Sequence, residues 1–144
     1  MKKLSATLSC AGLLLAGWSS LVRAQVVNDG AALTLANVTN SISGAVTIGT
    51  NGSFTLLTLS NNALLTNSAN GAIGLNATAK SNEVRLISPS ARWRIGNHLY
   101  VGSNGAFSRL TVSNGALVEN FNGVLANVAG SSNNTALVTG SGTV

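Results

Sequence analysis

The chain of 144 residues has little of what enzymes, metalloproteins and disulfide-stabilised proteins are built from. It contains one Cys, one His, one Pro and three acidic residues, and only 4% of its residues are aromatic. Acid–base pairs, metal centres and nucleophilic triads all draw on carboxylates, imidazoles and thiols. The composition therefore predicts that the protein is not an enzyme and uses no metal ion or other cofactor.

The part of the chain after residue 24 is less basic than the net charge of the whole sequence suggests. Eight Lys and Arg against three Asp and Glu give a formal net charge of +5, but Lys2, Lys3 and Arg23 lie near the N-terminus. After residue 24 there remain five cations and three carboxylates, a net charge of +2, and no basic run. A surface that binds a phosphate backbone needs a basic patch. We therefore expect no nucleic-acid partner.

The N-terminus has the three parts of a secretory signal peptide. Two lysines precede the uncharged residues 4–22, and small residues come before Gln25. We predict a signal peptide over residues 1–24, cleaved between Ala24 and Gln25, and export by the general secretory route. The alternative is an uncleaved membrane anchor, although several Ser, Thr and Gly residues interrupt the stretch. Cys10 lies inside it, so the mature chain has no disulfide.

The rest of the sequence contains an internal repeat. Residues 48–65 align without gaps with residues 101–118, and ten of the 18 positions are identical. The similarity extends over two units, residues 46–98 and residues 99–144. The second unit stops before its equivalent of Trp93, so we expect the sequence to be a fragment.

Short stretches of alternating apolar and polar residues predict β-strands inside each unit. The Leu-Thr-Leu of residues 57–59 and the Leu-Thr-Val of residues 110–112 have the period of a half-buried strand. Five Asn-Gly dipeptides mark tight turns. Because Asn-Gly also suits two-residue hairpins, the turns alone leave parallel coils and antiparallel hairpins open. The long repeat favours a solenoid, with residues 25–45 as an N-terminal strand or first coil.

The mature chain is long enough for several coils of such a solenoid. At roughly 20 residues a coil, it would form about five or six coils stacked about 4.8 Å apart. Phe54 and Phe107 occupy the same position in the two repeat units. We therefore predict that their rings stack in the core, in adjacent or successive coils.

The densest group of reactive side chains lies between Arg85 and Tyr100. In an extended strand, Arg92 and Arg94 project to one face and Trp93 to the other. Guanidinium groups bind carboxylates and sulfates, and aromatic rings stack on sugars. Arg92, Trp93, Arg94 and Tyr100 are therefore the candidate ligand-binding residues, for a surface glycan. Alternatively, Trp93 packs at a junction between repeats and the arginines keep an exposed strand soluble.

A polysaccharide-degrading enzyme is the least favoured interpretation of the sequence. Such enzymes use clustered carboxylates, whereas Glu83 and Glu119 fall at different phases of the repeat and Asp29 is remote. His98 is the only imidazole, and no nucleophile-elbow sequence accompanies it for a hydrolytic triad with Asp29. One imidazole also makes no metal site.

The second repeat unit contains the motifs Val101-Gly102-x-x-Gly105 and Leu110-Thr111-Val112-Ser113-x-Gly115-Ala116 and closes with Gly140-Ser141-Gly142-Thr143, and Trp93 lies near the end of the first unit. With these motifs the repeat resembles that of autotransporter (type V secretion) passengers and of PEP-CTERM-associated exported proteins. The resemblance implies a right-handed parallel β-helix on a bacterial surface, serving as a passenger or stalk. The sequence lacks the outer-membrane barrel strands and the Pro-Glu-Pro sorting segment of these proteins. We expect membrane contact only through the signal peptide or a missing C-terminal anchor.

The sequence thus predicts an exported, non-enzymatic structural protein of the bacterial surface or extracellular space. A carbohydrate-binding adhesin that uses the Arg92–Arg94 region is the main alternative. The predicted partners are surface glycans, or further copies of the chain joined through the solenoid ends.

Overall fold

The structure, a computed structural model, describes residues 24–144 of the chain. The predicted signal peptide, including Cys10, lies outside the described residues except for Ala24. The regular elements from residue 24 onward are short β-strands, and this part of the chain forms no helix long and apolar enough to cross a membrane. The strands are β1 (Ala24–Gln25), β2 (Ala32–Ala36), β3 (Thr39–Ile42), β4 (Val46–Ile48), β5 (Leu56–Ser60), β6 (Leu64–Asn67), β7 (Gly71–Ile73), β8 (Glu83–Leu86), β9 (Arg92–Ile95), β10 (His98–Val101), β11 (Arg109–Ser113), β12 (Leu117–Glu119), β13 (Asn122–Leu125) and β14 (Thr135–Thr139).

These strands form three parallel sheets that wind into a solenoid. Sheet A contains β1, β4, β7, β10 and β13 in that order; sheet B contains β2, β5, β8, β11 and β14; sheet C contains β3, β6, β9 and β12. All neighbouring strands pair in parallel. Three consecutive strands make one turn, with one strand in each sheet. The all-β parallel solenoid confirms the predicted fold class and excludes the hairpin alternative for the described strands.

Each turn is longer than the sequence analysis predicted. The paired residues of successive turns are separated by 22 residues at Ala24 and Val46 and by 28 residues at Leu64 and Arg92. The described residues therefore make about four turns, and the prediction of five or six turns of about 20 residues is wrong. Long corner segments account for the difference, since residues 74–82 alone connect β7 to β8.

The sequence repeat corresponds to two turns of the solenoid. Ile48 pairs with Ile73, and Ile73 pairs with Val101, the residue that aligns with Ile48 in the sequence. Likewise Leu57 reaches its sequence equivalent Leu110 through Val84. Successive turns are therefore alike in backbone but different in side chains, and similarity of sequence returns at every second turn.

Alternation along the strands builds one apolar interior. In β5, Leu57 and Leu59 are fully buried while Thr58 between them is only partly buried. The same alternation in β8 buries Val84 and Leu86. Strands that pair in register place these residues above one another, so the core is a continuous column along the solenoid. Its largest fully buried apolar side chains are Trp93, Ile48, Leu57, Leu59, Leu65, Ile73, Leu86, Val46, Val84 and Val112.

The corner between sheets A and B is closed by a glycine and an asparagine from successive turns. Gly49 has a φ of +74°, and a Cβ atom there would lie 2.2 Å from the side chain of Asn82. Asn82 is fully buried, and its Oδ1 accepts a 2.8 Å hydrogen bond from the Thr55 N–H. Two turns further along, the arrangement repeats with Gly102 against Asn134, whose Oδ1 accepts from the Ser108 N–H, whereas Gly74 on the turn between them faces Ser108. The asparagine thus fills the space that the glycine leaves.

The predicted core stacking of Phe54 and Phe107 is wrong. Phe54 is 75% exposed and Phe107 is 53% exposed. Both lie at the corner between sheets A and B, with φ values of +61° and +59°. In each segment the inward positions begin with Thr55 or Ser108, so the preceding phenylalanine falls on the opposite phase and faces solvent.

Replacing Gly49 by Ala tests the packing of this corner. Gly49→Ala should lose about 1–2 kcal/mol to the left-handed backbone, and about 1–3 kcal/mol more to overpacking against Asn82. Gly130→Ala is the matched control, since Gly130 also has a positive φ (+91°), but a Cβ atom added there would meet no heavy atom within 4 Å. Urea unfolding followed by circular dichroism measures both. Equal losses in the two variants would show that Asn82 does not constrain the corner.

Candidate functional site

The structure distributes the predicted ligand-binding residues over an outer face, the core and a second sheet. Arg92 and Arg94 lie on the outer face of β9 in sheet C, and Arg94 is exposed. Trp93 between them is fully buried. Tyr100 belongs to β10 in sheet A, where it pairs with Ala72. The two arginines are therefore brought together, whereas the two aromatic rings do not share their face.

Trp93 is a core residue with a specific polar partner. Its Nε1 donates a 3.0 Å hydrogen bond to Oδ1 of the buried Asn67 on the preceding turn. The Asn67 Nδ2 donates in turn to the carbonyl oxygens of Ala69 and Asn70, at 2.7 and 3.1 Å. Gly71 makes room for the indole, because a Cβ there would lie 2.9 Å from the ring. The ring is thus held inside the solenoid and presents no surface on which a sugar can stack.

Two of the five cations after residue 24 are engaged in ion pairs. Arg94 Nε lies 2.5 Å from Glu119 Oε2 on the next turn, and both side chains are about half exposed. Arg85 Nε and Nη2 donate to the two carboxylate oxygens of Glu83, at 2.8 and 2.9 Å. This bidentate hydrogen bond, together with the charge of Glu83, raises the pKa of Arg85. Exposed pairs such as these contribute little to stability, but they occupy the guanidinium groups.

Tyr100 lines a shallow groove on the outer face of sheet A. The groove has a volume of about 240 Å³, and Thr47, Ala72 and Asn127 contribute to its walls. His98 lies on the same strand, with its ring 6.1 Å from that of Tyr100 and 5.9 Å from that of Phe121. Ligand binding by Arg92, Arg94 or Tyr100 stays a prediction.

The three carboxylates after residue 24 do not form one acidic cluster. Glu83 is on sheet B and Glu119 on sheet C, and each binds an arginine. Within residues 24–144, His, Asp and Glu side chains do not gather in a group of three or more that could hold a metal ion.

Asp29 organises the corner that follows β4. One of its carboxylate oxygens accepts hydrogen bonds from the Thr50 N–H and from the Gln25 side chain, each at 2.7 Å. The other accepts from the N–H groups of Asn51 and Gly52, at 2.9 and 2.8 Å. Burial favours the neutral form, but the backbone and side-chain hydrogen bonds outweigh it and lower the pKa of Asp29. Asp29 thus joins the segment that follows β1 to the corner that follows β4 on the next turn.

The exposed residues that sequence reasoning missed are Phe54 and Phe107. Both rings are exposed, and a groove of about 330 Å³ lies beside Phe107, lined also by Ser81, Glu83 and Arg109. A signal for their exposure was present in the sequence. The strand alternation that points Leu57 inward places Phe54, three residues earlier, on the outward phase.

Comparisons of the chain with protein-family models, with curated proteins and with solved structures find no match. The resemblance to autotransporter passengers and PEP-CTERM-associated proteins therefore rests on the repeat residues and on the solenoid fold that they form.

The role of Asp29 predicts a defined pH dependence of stability. Because its pKa in the folded chain is below the ordinary value of 3.8, its contribution is complete above that value. The contribution is lost as the pH falls through the lower folded-state pKa. Asp29→Asn should therefore lower the urea midpoint at pH 7, and the difference from wild type should shrink at acidic pH.

Glu119→Gln, which removes the carboxylate of an exposed ion pair, is the control and should change the free energy of unfolding at pH 7 by less than about 1 kcal/mol. A difference for Asp29→Asn that is constant down to about pH 2 would contradict this role.

Proposed function

We propose that the chain is a structural rod segment of an exported bacterial protein, similar to an autotransporter passenger or a PEP-CTERM-associated stalk. The observation that carries the proposal is the coincidence of the sequence repeat with two turns of solenoid. A repeat that maps onto whole turns extends the structure along one axis without changing its cross-section. Repetition therefore makes such a chain longer and does not create a cleft.

The contacts between turns suit a mechanical role. Three parallel ladders run side by side along the axis, so each of the first three turns is bonded to the next on all three faces. Corner backbone groups continue these ladders, as in the 2.9 Å bond from the Gly74 N–H to the Ile48 carbonyl and the 2.8 Å bond from Gly102 to Ile73. Separation of two turns would break all of these bonds together and expose the apolar interior. The rod is therefore cohesive without disulfides.

A non-enzymatic role is part of the proposal. Each of the three carboxylates after residue 24 is already bound, Asp29 by backbone N–H groups and Glu83 and Glu119 by arginines. In this proposal all three are structural groups, Asp29 in the corner segments and the two glutamates as partners of arginines. The proposal requires no cofactor. The adhesin alternative centred on the Arg92–Arg94 region loses its stacking platform, because Trp93 is buried.

The last turn supports association through the end of the solenoid. β13 and β14 begin a turn whose sheet C strand is not among the described elements. Leu125, Leu137 and Val138 are each more than half exposed there, beside an apolar groove of about 340 Å³. A further solenoid turn would pair with these strands and cover the groove. We propose that a further turn, of the same protein or of a second copy, covers this surface.

Inserting a second copy of residues 46–98 after residue 98 tests the rod proposal. Since this unit is two turns, the longer chain should keep its β-sheet circular dichroism, and its maximum dimension by small-angle X-ray scattering should grow by about 10 Å. An insertion of the same composition in scrambled order is the control and should not extend the rod. An intact repeat that unfolds the protein, or adds a flexible loop, would contradict a modular rod.

Export makes a separate prediction about the N-terminus. When the full chain is produced in a bacterium, the secreted or periplasmic form should begin at Gln25 by N-terminal sequencing. Ala24→Leu should block processing because signal peptidase requires a small residue before the cut, whereas Val26→Leu should be processed normally. Recovery of the unprocessed wild-type chain in the cytoplasm would overturn the localisation.

A further inference from the structure

One corner of the solenoid stacks five residues in the left-handed conformation. Their φ values lie between +55° and +77°, and each belongs to a different turn: Gly30, Phe54, Ser81, Phe107 and Asn133. The backbone stays bonded through this column, since the N–H groups of Phe54, Ser81 and Phe107 donate to the carbonyls of Lys80, Ala106 and Ser132 at 2.9–3.1 Å. We call it the corner column. Phe54 and Phe107 occupy its second and fourth places.

The two phenylalanines are poor choices for folding at these places. An L-residue in the left-handed region costs about 1–2 kcal/mol, and a bulky side chain is an outlier there. Gly30 and Asn133 satisfy the same backbone with residue types that tolerate it. Because the rings are 75% and 53% exposed, they also gain little from burial. Strain and apolar exposure at two equivalent places are typical of a surface kept for binding.

Cationic and polar side chains accompany the rings along this corner. Lys80 precedes Ser81, the residue of the corner column that separates the two phenylalanines, and its own carbonyl accepts from Phe54. Arg109 lies two residues after Phe107 and lines the groove of about 330 Å³ beside it, together with Glu83, whose carboxylate is held by Arg85. Both cations are exposed, and neither takes part in an ion pair within residues 24–144.

The chemistry of this surface indicates the class of ligand. Rings two turns apart are separated by about 10 Å along the axis, which is close to the length of two sugar units in an extended chain. A sugar ring has an apolar face that stacks on a phenyl ring, and its hydroxyls suit Ser81 and the backbone. Unpaired Lys and Arg beside the rings favour a ligand that carries carboxylates.

We infer that Phe54 and Phe107, with Lys80 and Arg109, bind an acidic polysaccharide of the hexuronate type that lies along the rod axis. This site is separate from the Arg92–Arg94 face. The inference depends on the solenoid fold but not on the proposed function as a rod.

The test is the retention of the chain from Gln25 onward in gels that contain polygalacturonate. Phe54→Asn/Phe107→Asn should weaken binding by about tenfold or more. Asn suits the left-handed backbone, so the same variant should melt at or above the wild-type temperature. Loss of binding together with retained or raised thermal stability separates a binding surface from a structural one.

Phe121→Asn is the matched control, because Phe121 is 77% exposed but lies between β12 and β13, outside the corner column. It should bind like wild type. Lys80→Gln/Arg109→Gln should weaken retention, and added salt should weaken that of the wild type. Arg92→Gln tests the separate candidate face on sheet C, and retention that depended on Arg92 instead of Arg109 would place the ligand on that face.

Several outcomes would overturn the inference. They are unchanged retention of a folded Phe54→Asn/Phe107→Asn variant, equal loss in Phe121→Asn, and dependence on Arg92 instead of Arg109. Retention by a neutral glucan but not by polygalacturonate would refute the acidic class of ligand. A phenylalanine-dependent change in oligomeric state without glycan binding would assign the surface to a second copy of the chain.

Discussion

The solenoid depends on corners that redirect the chain while each turn stays in register with the next. Between sheets A and B, two columns of residues with positive φ achieve this. The first contains Gly49, Gly74, Gly102 and Ala126, and the second is the corner column. Because residues of like conformation stack, their backbone groups bond from turn to turn, as in the 3.1 Å bond from the Ala126 N–H to the Val101 carbonyl. The left-handed corner thus carries the parallel ladders from one sheet to the next without interruption.

The two columns place opposite demands on side chains. The first faces the neighbouring turn, where Asn82 fills the space beside Gly49 and Asn134 the space beside Gly102. A Cβ atom at Gly49 or Gly102 would overlap that asparagine side chain, so the backbone and the packing both select glycine at these two places. Ala126, the last residue of the column, has a side chain at a φ of +62°. The two phenylalanine side chains of the corner column point to solvent, so only the left-handed backbone restricts the residue types at their positions. The fold therefore requires glycine where an asparagine of the neighbouring turn fills the adjacent space, and it leaves the corner column open to side chains that have a role other than folding.

Much of the architecture was predictable because strand alternation and repetition are local properties of a sequence. Residues 57–59 and 110–112 were predicted as strands, and they lie in β5 and β11. The length of a turn was not predictable, since adjacent turns share backbone conformation and little sequence. Ile48 resembles Val101 two turns away, whereas the corner that follows Ile73 is built from different residues.

For the candidate site, the sequence left two roles open for Trp93. Its burial depends on Asn67 and on the space at Gly71, both contributed by other strands. Phe54 is exposed although it is apolar, because it lies three residues before the buried Leu57 and therefore on the outward phase of the strand alternation.

A repeat of two turns also lets neighbouring turns specialise. The second and fourth turns supply Phe54 and Phe107, while the third turn between them supplies Lys80 and Ser81 in the same corner. On sheet C, the third turn supplies Trp93 and Arg94, and the turn after it supplies Val118 and Glu119 at the paired positions. A solenoid of identical turns would stack like on like, so cations would lie above cations about 4.8 Å apart and repel one another. Alternation avoids that repulsion at Arg94 and Glu119. It also spaces like groups by two turns, so a surface feature that recurs along the rod presents itself to a partner at intervals of about 10 Å.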